Sequence, residues 1–325
     1  MNYYEPLVYV VPVEEEGFLL KTILQKRLHV SRKLISRLKL TEQGITVNGV
    51  RQFISVHVHA GDRVELRMEQ EESEDILPQD LPLAIVHEDE HLLIAAKEAG
   101  MIVHPTNGHY VNTLANAVVF HWQQAGVACR FRPVHRLDQE TSGVLAIAKT
   151  PYVHQQISEQ MIAHSVKKEY LAFVWGVVDN PGGTINEPID RDPEQPHMRI
   201  VTPAGYSAVT HYEVVEQYSR AALVRLWLET GRTHQIRVHM KHIGHPLLGD
   251  KMYRLARYEE ESSAVPGHVL GRQALHACML GLVHPGTKEW TEFTAPLPED
   301  LMLLKQWLQE TEQNRENRQK RSIEQ

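Results

Sequence analysis

Apolar residues in "GFLLKTILQKRLHVSRKLISRLKLTEQG" fall at helical spacing: Leu20, Ile23, Leu24 and Leu28, then Leu34, Ile35 and Leu38. Ser31 stands between the two sets as an N-cap, so the pattern predicts two short helices. The following "ITVNGVRQF" alternates apolar and polar positions around Asn48-Gly49, which predicts a tight hairpin. "HVHAGDRVELRM" adds another turn and strand. Two helices and a small sheet make a compact α/β module over residues 12–68.

From residue 83 onward the pattern changes. "LAIVHEDEHLLIAAKEAGMIVHP" reads as two strands joined at "HEDE", and short β runs recur at 144–148, 170–178, 208–215, 222–228 and 291–294. Helical stretches lie near 112–124, 151–164 and 298–310. There is no regular βαβ alternation, so the expected class is α+β, a mostly antiparallel mixed sheet spanning residues 83–310. Residues 311–325, "TEQNRENRQKRSIEQ", are polar and read as a fraying helix end.

Charge divides the chain in the same places. The net charge of −7 hides a segregation: residues 17–67 hold ten Lys/Arg against three acids, and residues 69–80 hold six acids and no base. Residues 69–82, with their prolines, read as an acidic linker. A basic module suits a polyanion, because phosphate contacts are local. Arg32, Lys33, Arg37 and Lys39, on or beside the second helix, are the candidate RNA-binding residues. The two cysteines, Cys129 and Cys278, are far apart and form no CxxC, which argues against a disulfide framework or a cysteine zinc site. "MNYYEPLVYVVPVEEEG" lacks the pattern of a secretory leader, and no apolar run approaches membrane-spanning length. A cytoplasmic location without membrane contact is expected.

Candidate chemistry concentrates in "RPVHRLDQETSGVLAIAKT", residues 132–150. Asp138 followed by Thr141-Ser142-Gly143 is, on local grounds, a turn whose carboxylate bonds nearby backbone N–H groups. A second unusual segment, "ETGRTHQIRVHMKHIGHPLLGDKMY", sets Arg232, His234, Arg237, His239, His242 and His245 among alternating apolar positions. The histidine spacing is wrong for a helical zinc pair, Gly244 and Pro246 interrupt any helix, and no metal is expected. A Ser-His-Asp hydrolase built on Ser142 lacks the G-x-S-x-G elbow. Tyr170 in "VKKEYLAFVWG" opens an apolar strand, and Leu275-His276 in "GRQALHACMLGLVHPGTKE" begins another.

Together these stretches resemble the RluA family of pseudouridine synthases. "HRLDQETSGVLAIAKT" matches its H-R-L-D-x-x-T-S-G signature. "KKEYLAFVWG", "ETGRTHQIRVHMKHIGHPLLGD" and "RQALHACMLGLVHP" look like its later motifs in the same order. The basic module resembles the small RNA-binding domain, shared with a ribosomal protein, that the RluD branch carries. It departs from that pattern where Phe18-Leu19-Leu20 replace Arg-Leu-Asp. The resemblance implies an RNA uridine isomerase with no cofactor and no metal, favouring large-subunit ribosomal RNA over transfer RNA. It implies Asp138 as nucleophile, Arg237 as its ion-pair partner with Arg232 the second choice, and Tyr170 against the base. Leu275 would pack on the base from the other side, Arg136 would fill the space the flipped base leaves, and Thr141 would line the substrate site. A monomer with no obligatory protein partner is expected. The competing classes are an RNA-binding protein that keeps the fold without activity, which would be expected to lose Asp138, and a hydrolase, which would release base or cleave esters.

Overall fold

The computed structural model describes residues 2–323. The two helices and the hairpin of the N-terminal module form as their periodicity predicts, while its sheet also takes in a strand before residue 12 that the expected bounds left out. Strand β1 (Leu7–Val10) precedes helices α1 (Leu20–Lys26) and α2 (Arg32–Leu38), then β2 (Ile45–Val47), β3 (Val50–Arg51) and β4 (Arg63–Leu66) complete a four-stranded sheet in the order β1-β4-β2-β3. Ser31 caps α2 by accepting the Leu34 N–H at 3.2 Å. Asn48 and Gly49 both take positive φ, 51° and 78°, which the two-residue turn between β2 and β3 requires. The seven apolar residues of the helical pattern bury together with Ile45, Val64 and Leu66, all but Leu28 fully.

The second part opens with β5 (Ala84–Glu88), β6 (Leu92–Lys97), α3 (Leu114–Gln124), β7 (Ser142–Ala148), α4 (Pro151–Ile162) and β8 (Lys167–Trp175). It continues through β9 (Gly182–Asn186), β10 (Ile189–Arg191), β11 (Arg199–Val201), β12 (Val209–Gln217) and β13 (Ala221–Leu228). After α5 (Gln235–His242) and α6 (Glu259–Ala264) come β14 (Leu275–Val283), β15 (Trp290–Thr294) and α7 (Glu299–Ile323). Nine strands make one sheet, β5-β6-β7-β14-β8-β13-β12-β9 with β15 beside β14. Every pairing in it is antiparallel except β7 with β14, so the class is the expected α+β.

Alternation along β8 shows how the layers are filled. Tyr170, Ala172 and Val174 face a core shared with α3, α4 and α5, while Phe173 and Trp175 face the opposite side with Leu301, Leu304 and Leu308 of α7. Each of those buried leucines contributes about 1.5–3 kcal/mol of burial free energy. Helix α7 does not stop near residue 310. No glycine or proline follows Pro298, so the helix runs on to Ile323, and the last two residues of the predicted polar tail lie outside the described residues.

At the centre of the sheet β14 changes partners. Its first residues, His276 and Ala277, pair with Ser142 and Gly143 of β7, and its second half pairs with β15. Gly143 sits at φ 119°, and a Cβ there would lie 2.1 Å from the Ala277 carbonyl oxygen. Gly143→Ala is therefore expected to destabilise the fold by at least about 2 kcal/mol. Urea unfolding of the variant measures it, and an unchanged midpoint would show that the strands separate freely.

Residues 69–82, read above as a linker, lie against both parts. Ile76 is buried in the large core, and the Ser73 hydroxyl accepts the Phe131 N–H at 2.8 Å. The Glu71 carboxylate pairs with Arg37 of α2 and with Arg132. Its acidity, which suggested a tether, here serves as ion-pair partner to flanking arginines. The module also docks on α4: Tyr152 donates to the Leu28 carbonyl at 3.0 Å, and Gln155 accepts the Ser31 N–H at 2.9 Å while donating to the His29 carbonyl at 2.8 Å.

Candidate active site

The turn predicted after Asp138 exists, closed by the Thr141 N–H to the Asp138 carbonyl at 3.0 Å. The Asp138 carboxylate is not spent on it. Oδ2 accepts from Arg237 Nη1 at 3.2 Å, and the side chain keeps 27% of its surface exposed. It opens on a cavity of about 1340 Å³ whose lining includes Arg136, Asp138, Tyr170, Arg232, Arg237 and Leu275. Four segments distant in sequence thus converge there.

Arg237 reaches the site from α5. The apolar alternation 236-238-240 resembles a strand, but the segment folds as a helix in which residues 235–240 are all buried. Asp250 holds the guanidinium from the far side, accepting from Nε at 2.7 Å and Nη2 at 2.9 Å. The same carboxylate accepts the N–H groups of Met252 and Tyr253 at 2.9 and 3.0 Å. Asp250, Arg237 and Asp138 together carry one net negative charge. Arg237 is thus neutralised by Asp250 and acts toward Asp138 as an aimed N–H donor rather than as a free counter-charge.

The other expected residues take different positions. Tyr170 is buried on the cavity wall, and burial, with the Asp138 charge second, raises its phenol above the usual value, so the hydroxyl keeps its proton. Leu275 is buried at the start of β14. Thr141 is buried beside it, accepting from Gln273 at 3.4 Å. Arg136 is exposed at the rim. Arg232, the second choice as partner of Asp138, is not one: its Nε donates to the Ser207 carbonyl at 3.0 Å, and its guanidinium lies 5.4 Å from the Tyr206 ring centre. It lies on the exposed loop before α5, a full turn short of the buried face that carries Arg237. Arg32, Lys33, Arg37 and Lys39 are all exposed on or just after α2 and do not line the cavity, with Arg37 engaged by Glu71. Helix α4 connects the two regions, docking the module by its first turns and lining the cavity with Met161 and Ile162 at its last.

Sequence reasoning missed the groups that hold the Asp138 turn. Lys97, 2% exposed, donates to the carbonyls of Glu98, Met101 and Gln139 at 2.7, 2.7 and 2.9 Å. Burial, with Arg272 second, pulls its pKa down to about 7, while three carbonyl acceptors favour the ammonium form, which alone can donate to all of them. Arg272 donates to the Glu140 and Leu275 carbonyls, each at 3.0 Å, and is itself fixed by Asp300. Two buried cations therefore grip the carbonyls just after the carboxylate. The legible signal was a lysine closing an otherwise apolar strand, in "IAAKEAG", and an arginine just ahead of another, in "GRQALHA".

Geometry also decides the competing readings. Both nitrogens of His239 are occupied, Nδ1 by Thr210 at 2.8 Å and Nε2 by the Glu187 carbonyl at 2.9 Å. His245 Nδ1 donates to the Trp175 carbonyl at 2.9 Å, so the histidine run ties elements together. Ser142 and His276 do pair at 2.9 Å, but both are buried, and His276 Nε2 donates to the Ala295 carbonyl rather than to an acid. At the opposite end of the central strands, His87, Asp89 and His284 cluster. His284 Nδ1 accepts the N–H groups of Gly286 and Thr287, which leaves the ring proton on Nε2, 2.9 Å from Asp89 Oδ2. That contact is an ion-pair distance rather than a hydrogen bond, and His87 Nε2 beside it is likewise without a hydrogen-bond partner among the described residues. Among the described residues, no helix is long and apolar enough to cross a membrane.

The model of the RNA pseudouridylate synthase family matches residues 91–242. A Bacillus subtilis relative, the uncharacterized RNA pseudouridine synthase YhcT, is 38% identical over 297 residues, covering 91% of this chain and 95% of its own. The ribosomal large subunit pseudouridine synthase D of Pseudomonas aeruginosa is 42% identical over 264 residues, 80% of this chain and 82% of that protein. Among solved structures, human RNA pseudouridylate synthase domain containing 1 has a similar fold, with a TM-score of 0.55 at 24% identity over 71% of this chain and 96% of its own.

Proposed function

The chain belongs to the RNA pseudouridylate synthase family, and from that premise we propose that it isomerises particular uridines of structured RNA, large-subunit ribosomal RNA above all. The reaction breaks the bond between uracil nitrogen and ribose and rejoins the ring through carbon 5. It consumes no electrons and adds no water, so a carboxylate that attacks, holds and leaves is sufficient, as in glycosidases. The observation that carries the reading is the Asp138 carboxylate, open to a large cavity on one side and held on the other by an arginine that Asp250 fixes.

In this reading Asp138 is the nucleophile, and Arg237 aims it. Tyr170, a protonated phenol, stacks on the base and is a poor proton acceptor. Leu275 packs against the base, with Thr141 beside it, while the exposed Arg136 fills the space the flipped base leaves and Arg232 lines the cavity near the substrate. The target uridine must leave its stack to reach Asp138, at a cost of a few kcal/mol. Arg32, Lys33, Arg37 and Lys39 offer the N-terminal phosphate contacts, which supports reading residues 12–68 as an RNA-binding module beside a catalytic unit at 83–310. The reading takes the protein as a cytoplasmic monomer with no obligatory protein partner. The test is incubation of the purified protein with unmodified ribosomal and transfer RNA, followed by site-resolved pseudouridine mapping. New pseudouridine in large-subunit RNA is expected, and none in either RNA would overturn the reading.

A further inference from the structure

Taking Asp138 as the nucleophile, we propose that His234 is its second positioning residue. It is a neutral imidazole whose Nε2–H joins Arg237 on Oδ2 and leaves Oδ1 as the attacking oxygen. The inference rests on a chain of donors. The Arg199 N–H donates to the Tyr253 oxygen at 2.9 Å, and the same oxygen lies 2.7 Å from His234 Nδ1. Among the described hydrogen bonds the phenol has no other acceptor for its proton, so it donates to Nδ1. A neutral ring then carries its proton on Nε2, and Nε2 lies 3.9 Å from Asp138 Oδ2. Arg237 Nη1 approaches the same oxygen.

The surroundings keep the ring neutral and in place. Burial is the main cause that lowers the proton affinity of His234, with Arg237 and Arg199 adding to it against the Asp138 charge. Its backbone is held at φ 58°, a left-handed conformation that costs a non-glycine residue about 1 kcal/mol or more. The ring meets Tyr253 edge-on, centroids 5.5 Å apart. At 3.9 Å the contact with Asp138 is longer than a hydrogen bond, and a shift of about 1 Å completes it once substrate displaces water, as catalytic contacts often tighten only in the complex. For attack on ribose, an electron pair on Oδ1 forms the bond to the sugar carbon as the bond to uracil nitrogen 1 breaks and its pair leaves with the uracil. Oδ2 becomes the ester carbonyl. Carbon 5 of the turned uracil then bonds the same carbon as the Oδ1 bond breaks, and the pair returns to the carboxylate. The carbon 5 proton is lost to solvent while nitrogen 1 takes one up. His234 gives up no proton; its N–H stabilises the charge that returns.

Two substitutions separate this role from simple packing. In His234→Asn the amide oxygen takes the place of Nδ1, and asparagine tolerates a positive φ, so the Tyr253 bond survives while nothing reaches Asp138. In His234→Gln the amide nitrogen takes the place of Nε2. Single-turnover rates on an unmodified large-subunit ribosomal RNA transcript are expected to fall about 10- to 100-fold for His234→Asn, the worth of one charge-assisted hydrogen bond. Half-saturation and melting temperature should not move, and His234→Gln should recover most of the rate. A His234→Asn rate within twofold of wild type, or equal losses in both variants, would overturn the proposal. Nitrogen-15 spectra of the unsubstituted, histidine-labelled protein give an answer independent of folding: His234 should be protonated at Nε2 alone near pH 7, and an Nδ1–H ring or an imidazolium contradicts it. Asp138→Asn is run beside them. Turnover by that variant would sink the nucleophile itself, whereas a dead Asp138→Asn with an unimpaired His234→Asn would sink the His234 role only.

Discussion

Asp138→Asn should abolish turnover, lowering the rate at least about 1,000-fold, while the protein folds and binds RNA almost as before. An amide cannot supply the electron pair that makes the covalent bond, yet its carbonyl can still accept from Arg237 Nη1. Arg237 keeps both bonds to Asp250 in the variant, so no buried charge is left unpaired. The carboxylate is partly exposed, and stability should change by less than about 1 kcal/mol. Pseudouridine counted by mass spectrometry, beside a binding isotherm and a melting curve, measures all three quantities. Residual turnover close to wild type would mean that another group attacks. A collapse in stability would mean that the carboxylate is structural.

Asp250→Ala carries the largest expected stability loss. Its carboxylate is wholly buried and accepts four donors, two from Arg237 and two backbone N–H groups. Removing it leaves a buried guanidinium whose remaining partner is the carboxylate across the cavity wall. Breaking such a pair from one side costs about 3–5 kcal/mol. Arg237 would also be free to swing wholly onto Asp138 Oδ2, so the aim of the nucleophile is lost together with stability. Chemical denaturation gives the first effect, and single-turnover kinetics in conditions where the variant is folded give the second. A loss below about 1 kcal/mol would show that Arg237 finds a replacement acceptor and that Asp250 is dispensable.

Most of the architecture could be read along the chain because its helices and strands each bury one clear face. The α1–α2 pattern, the Asn48-Gly49 turn and the cap at Ser31 all depend on neighbours a few residues away. Helix α5 was less legible for a physical reason. It is buried nearly all round, so its apolar positions carry no helical period, and 236-238-240 imitates a strand. The site divides along the same line. Asp138, Tyr170 and Arg237 stand in segments whose polar residues interrupt apolar runs, and the resemblance names them. Asp250, Lys97 and Arg272 act through contacts between distant segments, such as Arg272 with Glu140 and Asp300. No local spacing encodes those contacts. The acidic stretch lies closer to its neighbours than its composition suggests because Glu71 meets Arg37 and Arg132 from elsewhere in the fold, while Glu72, Glu74, Asp75 and Asp80 stay exposed.

Helix α4 has a consequence for which RNA can be a substrate. Its first turns hold the residues at the start of α2, and its last turn borders the cavity. Its twelve residues span about 18 Å at the ordinary rise. In the proposed reading, an RNA that meets α2 and also offers a uridine to Asp138 spans a spacing set by one rigid helix rather than by a flexible tether, so the shape of the RNA counts beside its sequence.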